Sequence, residues 1–375
     1  MKQVLKGATQ GMYKLMPSTT RKTTVRVVNE GLNPADKADI EKKIAFFLPS
    51  VKHIEYVAKL SPGLLSSSAA IFHTLGDKAP SWLRAHPGRF DVNRHNNPLE
   101  GWNWIDAATY VDGHQPDIQA SKQRFINLHS ALTKGAAVGR PCYVFGTGPS
   151  LEKAIEHDWS DGIRVVCNTI VRDKALWDHM NADIIVAGDG IYHFGFTDFA
   201  KAFRADLKTR LEASSTYFMY PARFDVIIQR ELGHLVDRLL PIPVGTHTSF
   251  YNNLLDNFAL PALGNILNLL LLPVGCNLSK TVGLWGFDGR APDDKLFWAN
   301  SSKHSYAELI PSLQEAHPAF FDHNVPKHDP EKYIRSVHGD VLENCLTDAE
   351  KLGWTFKMLH HSWTPTLAKR HVDER

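Results

Sequence analysis

Residues 141–168, PCYVFGTGPSLEKAIEHDWSDGIRVVCN, decide how this chain folds. The apolar run Pro141–Phe145 gives way to Gly146-Thr147-Gly148-Pro149-Ser150, then to a helical stretch, then to a second apolar run, Ile163–Cys167, that stops at Asn168. Short runs of β-branched, aromatic and small apolar residues, bounded by glycine and asparagine, read as strands buried on both faces. The grammar continues downstream. A helix is expected over 171–180, then a strand at Asp183–Ala187 that ends in Gly188-Asp189-Gly190, a helix over 199–211 and a strand over 216–220. An apolar helix over 260–272, a strand over 281–285, a helix over about 339–352 and a strand over 354–359 complete the series. Strands that alternate with helices and are too apolar to face water predict a mainly parallel sheet covered on both sides. Residues 138–375 are therefore expected to form one Rossmann-like α/β domain.

Upstream the pattern changes. Residues 1–30 carry Lys2, Lys6, Lys14, Arg21, Lys22 and Arg26 against Glu30 alone, a basic arm suited either to solvent or to a peripheral contact with anionic lipid. Asn33-Pro34-Ala35-Asp36 is a helix start, and Ile40, Ile44, Phe47 and Leu48 follow at helical spacing. A second helix is expected through Ile54–Leu60, ordered loop or short helices over 89–117, and a helix over 118–132. Residues 1–137 thus read as a mainly helical region, open to oligomerisation or membrane docking. Trp102 and Trp104, in LEGWNWID, read first as core packing and second as a platform on which a sugar or other ring could stack.

With 375 residues, 43% of them hydrophobic and 22% charged, the chain can bury a sizeable core as two domains or one large domain with an appendage. A net charge of +2 gives no global field to draw nucleic acid, so none is expected as a partner. The four cysteines, Cys142, Cys167, Cys276 and Cys345, form neither a CxxC pair nor a close even spacing, which fits a reducing cytoplasm. The longest apolar run, Ile266–Cys276, contains Asn268 and Pro273 and falls short of the roughly 20 residues that span a bilayer. It reads as a buried helix, and the N-terminus lacks the apolar core of a secretory signal.

In an open parallel sheet, ligands bind beyond the carboxyl ends of the strands. Four expected strand ends here are polar or glycine-rich: Gly146 to Ser150, Asn168, Gly188-Asp189-Gly190 and Gly286-Phe287-Asp288-Gly289. Each alone is as much a turn as a site. Together they describe a nucleotide-type crevice, with glycines for close backbone approach and Ser150 opening a helix whose N-terminus favours phosphate. The loop is neither GxGxxG nor GxxxxGK[ST], so dinucleotide dehydrogenases and P-loop NTPases are disfavoured.

The order VFGTGPSLEKA, VVCNTIVRDK, a Gly-rich strand end, LGNILNLLLL and VGLWGFDG, followed by a polar loop and a His opening a helix, resembles the sialyltransferases of glycosyltransferase family 42. It is similar, too, to the wider superfamily that holds the MptE-like diphosphokinases and the motility accessory factors. The resemblance covers roughly residues 140–365. It implies a sialyltransferase-like fold and a CMP-sugar bound by Gly146, Thr147, Gly148, Pro149, Ser150, Asn168, Gly264, Gly286, Phe287 and Asp288. The sialyltransferases usually carry Asn where Thr147 stands, Asn at the strand end where Asp189 stands, and Thr-Ser-Gly in place of Ala262-Leu263-Gly264. Asp189 is closer to the diphosphokinase branch, and Thr248 or Ser249 would have to supply the missing hydroxyl.

The resemblance further implies a general base at His338, in SVHGDVLENCL, where a neutral imidazole would take the acceptor's proton, with Asp340 orienting it or capping the helix. His323 and His328 are the runners-up, and their spacing around a proline makes a poor metal pair. The loop Asp288–Ser305, with Phe297 and Trp298 inside it, would close over the donor, and Tyr306 would face the phosphate. Asp293 and Asp294 read as a solvated turn before a metal site. The expected function is transfer of sialic acid or another CMP-activated sugar to a glycan or lipid-linked acceptor, with the nucleotide sugar as co-substrate and no cofactor. Two rivals remain. One is a diphosphokinase moving pyrophosphate from ATP, with Mg²⁺ on Asp189 and Asp288. The other is a nucleotide-binding module without chemistry.

Overall fold

The computed structural model describes residues 22–63, 69–135, 138–289, 303–324 and 340–373. It holds two parallel sheets. The smaller is built from β1 (Thr24–Val28), β2 (His53–Val57), β3 (Ala70–His73) and β4 (Arg89–Asp91), in the order β2-β1-β3-β4. The same part of the chain holds the helices α1 (Pro34–Phe47), α2 (Glu100–Asp112) and α3 (Ile118–Thr133), besides a single turn at Ser81–Arg84. Asn33 caps α1 as its sequence predicts, its side chain accepting the Asp36 N–H at 2.8 Å.

Residues 1–137 are therefore not only helical, and the helix expected over 54–60 is strand β2. Its sequence, His-Ile-Glu-Tyr-Val, alternates polar with apolar and pairs in parallel with β1 from His53 to Val57, so the period is two rather than 3.6. The 89–117 stretch holds the continuous helix α2, closed by Gly113 in the left-handed conformation. The described end of the basic arm is structural. Lys22 donates to the Tyr110 carbonyl at 3.1 Å, and Arg26 in β1 pairs with Glu55 at 2.8 Å.

The larger sheet has seven strands: β5 (Cys142–Phe145), β6 (Ile163–Cys167), β7 (Ile184–Val186), β8 (Tyr217–Pro221), β9 (Leu239–Ile242), β10 (Thr281–Trp285) and β11 (Thr355–Met358). Their order is β11-β10-β5-β6-β7-β8-β9, and every neighbouring pair is parallel. Side chains alternate between two buried faces. Cys142 and Val144 join one apolar core, Tyr143 and Phe145 the other. This is the Rossmann-like α/β fold that the sequence predicts.

Helix α4 (Asp198–Glu212) packs on one face of the sheet, while α5 (Leu272–Leu278) and α6 (Asp340–Lys351) pack on the other. The helix expected over 260–272 begins later. Pro261 and the left-handed Asn265 delay it, and a π-helical turn at Leu267–Leu271 leads into α5. The wide turn lies just ahead of Pro273, whose ring would clash with the carbonyl four residues back and which has no N–H to give. Among the described residues, no helix is long and apolar enough to cross a membrane.

The two sheets share one core. Phe47, Phe72 and Trp104 from the N-terminal part lie in the same apolar cluster as Ile191, Phe196 and Phe199. Helix α3 serves the larger sheet, since Arg124 donates to the Leu239 carbonyl of β9 at 3.0 Å and Phe125 meets Phe258 at 5.7 Å. From β5 the chain steps outward through β6 to β9, then returns to lay β10 and β11 on the other side. The loops leaving β5 and β10 therefore diverge, which is where such a sheet opens a ligand crevice.

Candidate functional site

At that divergence three strand ends are fastened together. Gly146 N–H donates to the Trp285 carbonyl at 2.8 Å, and Gly148 N–H to the Gly286 carbonyl at 2.9 Å. Contact is so close that a Cβ on Gly148 would sit 2.2 Å from Asp288 Oδ2, and one on Gly286 would sit 2.2 Å from the Gly146 carbonyl oxygen, with Gly286 already at φ +80°. The glycines are thus needed for loop-on-loop packing, apart from any ligand.

Ser150 is the hub. Its N–H donates to Asp288 Oδ1 at 3.1 Å, and its hydroxyl lies 2.9 Å from Asp288 Oδ2 and 2.9 Å from His360 Nε2. His360 follows β11. Its Nδ1 lies 2.6 Å from the His361 carbonyl and so carries the proton, which leaves Nε2 to accept the Gly286 N–H at 2.9 Å. Burial lowers the His360 pKa, although Asp288 and the His361 carbonyl pull the other way, and the ring is neutral at pH 7.

A serine beside a histidine invites a nucleophilic reading, which the third partner opposes. The hydroxyl has one proton and two acceptors, and a carboxylate at 2.9 Å raises the cost of forming an alkoxide. What the trio offers instead is a fixed set of acceptors, suited to hydroxyl groups. Nor is the loop an open phosphate cradle, because Asp288 already takes the Ser150 N–H that a phosphate would use.

The next two strand ends hold further polar groups. Asn168, after β6, sits at φ 51°, and its buried Oδ1 has no hydrogen-bond partner among the described residues. Asp189, after β7, turns Oδ1 onto the N–H groups of Ile191 and Tyr192 at 3.0 and 3.1 Å. Burial nevertheless raises its pKa to about 6, because two backbone donors only partly replace lost water. Trp102 covers this end, lying 2.9 Å from where a Cβ on Gly190 would stand. Trp104 is core, stacked between Phe47 and Phe72 with its Nε1–H on Glu100 at 2.6 Å.

Of the residues singled out from sequence, Gly146, Gly148, Ser150, Gly286 and Asp288 come together directly. Thr147 and Pro149 lie between them, and the Phe287 ring stands 2.8 Å from where a Cβ on Gly146 would be. Gly264 is an exposed residue ahead of the π-helical turn, whose neighbour Ile266 reaches Gly188. Tyr306 faces α4 and is not among the residues joined to the Ser150 cluster. It is buried against Phe199, and its hydroxyl donates to Asp206 on α4 at 2.5 Å. His328, His338, Asp293, Asp294, Phe297 and Trp298 lie outside the described residues, and Asp340 is the exposed first residue of α6. His323 is a residue of the helix Pro318–Asn324.

Sequence reasoning overlooked His360, His361 and Trp363, although they follow β11 as Gly286 follows β10, and the same strand-end criterion would have found them. A separate cavity of about 360 Å³, lined by Tyr143, Asp161, Gly283 and Lys357 among others, includes none of the strand-end groups. No protein-family model matches the chain, and no curated protein matches it.

Proposed function

We propose that the protein is a glycosyltransferase, binding a CMP-activated sugar such as CMP-sialic acid in the crevice beyond β5, β10 and β11 and passing the sugar to a glycan or lipid-linked acceptor. The observation that carries this reading is the convergence of Ser150, Asp288 and His360, from three strand ends, at the place where strand order reverses. A carboxylate, a hydroxyl and a neutral imidazole suit the hydroxyls of a ribose or sugar, and the unpartnered Asn168 Oδ1 at the adjoining end is a further acceptor. The resemblance of GTGPSL, the CN dipeptide and GFD to sialyltransferase motifs supplies the donor class and His338 as the base. The acceptor's hydroxyl proton would pass to that imidazole as the new glycosidic bond forms, while the phosphate of CMP departs with the electrons of its bond to the sugar.

Thermal denaturation with CMP, CDP, UDP, GDP and ATP, each with and without Mg²⁺, tests the proposal. A ligand of the folded state raises the melting temperature as its concentration exceeds its dissociation constant. Selective, metal-independent stabilisation by CMP is expected. Stabilisation by ATP only with Mg²⁺ would replace the proposal with a diphosphokinase, and no shift with any nucleotide would leave a module without this chemistry.

A further inference from the structure

The segment after β11 carries an aromatic side chain that the core does not use. Trp363 is 51% exposed, and among the described residues it is the one phenylalanine, tyrosine or tryptophan with so much of its surface in water. Its backbone, by contrast, is firmly held. Trp363 N–H donates to the Asp288 carbonyl at 2.6 Å, and the Ser362 hydroxyl donates to the Phe287 carbonyl at 2.6 Å. Thr364 N–H returns to Ser362 Oγ at 3.2 Å. Opposite them, Gly289, at φ +73°, lies so close that a Cβ there would be 2.6 Å from Thr364 N. The His361 ring meets the indole edge-on, 4.7 Å between centroids.

An exposed indole on an immobilised backbone is a preorganised contact: it presents a large flat face and has only two side-chain torsions to order on binding. The same loop that fastens it carries Asp288. A nucleotide has the matching layout, a ribose whose hydroxyls seek an acceptor joined through one bond to a flat heterocycle that seeks an aromatic face. We infer that Trp363 is the stacking wall for the nucleobase, the feature that makes this crevice select a nucleotide over a free sugar phosphate. The inference rests on the crevice being a nucleotide site.

The test titrates the wild type, Trp363→Phe and Trp363→Ala by calorimetry with whichever of CMP, CDP, UDP, GDP and ATP stabilises the wild type most. Loss of a base-stacking ring weakens binding by about 5- to 150-fold. Trp363→Ala should show that loss, Trp363→Phe should stay within a few-fold of the wild type, and the fluorescence quenching that accompanies binding should shrink in Trp363→Phe although binding persists. Because the indole is exposed, both variants should melt with the wild type when no ligand is present. Equal affinity in all three proteins would overturn the inference and leave the crevice reading standing. A wild type that binds no nucleotide would overturn both, and that failure is recognised without any variant.

Discussion

Ser150 gives both its backbone N–H and its hydroxyl to Asp288, a residue 138 positions later in the chain. Asp288 thereby does for the 3₁₀ helix Pro149–Glu156 that follows β5 what a local capping side chain does elsewhere, while also locking the β5 loop to the β10 loop. Asp288→Ala should cost about 0.5–2 kcal/mol in urea unfolding, the range for loss of a capping group. It should also remove the nucleotide-induced rise in melting temperature. Gly148→Ala should reproduce both losses with the carboxylate still present, because its new methyl group would displace Asp288 Oδ2. Normal ligand response in Gly148→Ala would show that the latch and the site are separate.

His360 makes the latch sensitive to acid. Its pKa is lowered in the folded protein, chiefly by burial, so the fold favours the neutral ring. That contribution is complete above the unfolded value near 6.5 and is lost as pH falls through the lower, folded value. Melting temperature should therefore drop on acidification from pH 7 to pH 5, and His360→Gln should drop less. His193, held at about 3, and His73, at about 4, both mainly by burial, add losses of the same sign that begin near the unfolded value of about 6.5 and continue to lower pH.

Asp189 works in the opposite direction. Burial raises it to about 6, so the folded protein favours its protonated form and is penalised by ionisation as pH rises through that value. Asp189→Asn keeps an acceptor for the Ile191 and Tyr192 N–H groups and removes the charge. The variant should melt a few degrees above the wild type at pH 8, by less at pH 5, and together with it below the unfolded value of about 3.9. A constant difference at both pH values would mean that ionisation of Asp189 is not what separates the proteins.

A buried ionic knot ties the N-terminal part to the rest. Glu100 accepts from Lys43 Nζ at 2.6 Å and from His317 Nδ1 at 2.8 Å, all three side chains being nearly inaccessible to water. Burial alone would push the Glu100 carboxyl up, but the Lys43 ammonium and the His317 ring reverse that and hold it at about 2. Lys43→Met strips one partner from a buried carboxylate and should cost about 3–5 kcal/mol in urea unfolding. Replacing Lys43, Glu100 and His317 together with apolar residues should recover much of that loss.

The larger sheet was legible because its strands are buried on both faces and so appear as nearly continuous apolar runs, as in CYVF and, with Arg164 as the one interruption, IRVVC. β2 was not, because its side chains are exposed or half-buried and its five residues offer little period to read. β9, LLPI, was missed because a proline inside a run argues against a strand, although Pro241 here lies on an edge strand, where it is tolerated. Within the site, the glycines and Asp288 were visible through local turn chemistry. That His360 would meet Ser150 was not, since a contact spanning 210 residues leaves no trace in spacing, even though its place just after β11 marks His360 as a strand-end residue.

Helix α3 lies in the chain with the first sheet but packs against β9 of the second, so the two sheets cannot be exchanged as independent modules. A fragment starting at residue 138 would leave the surfaces of Phe258 and Leu239 that α3 covers open to water. Recombination at the junction between the sheets would cut through a packing layer. Removal of residues 22–137, which takes α3 with the smaller sheet, should be felt first as insolubility of the larger.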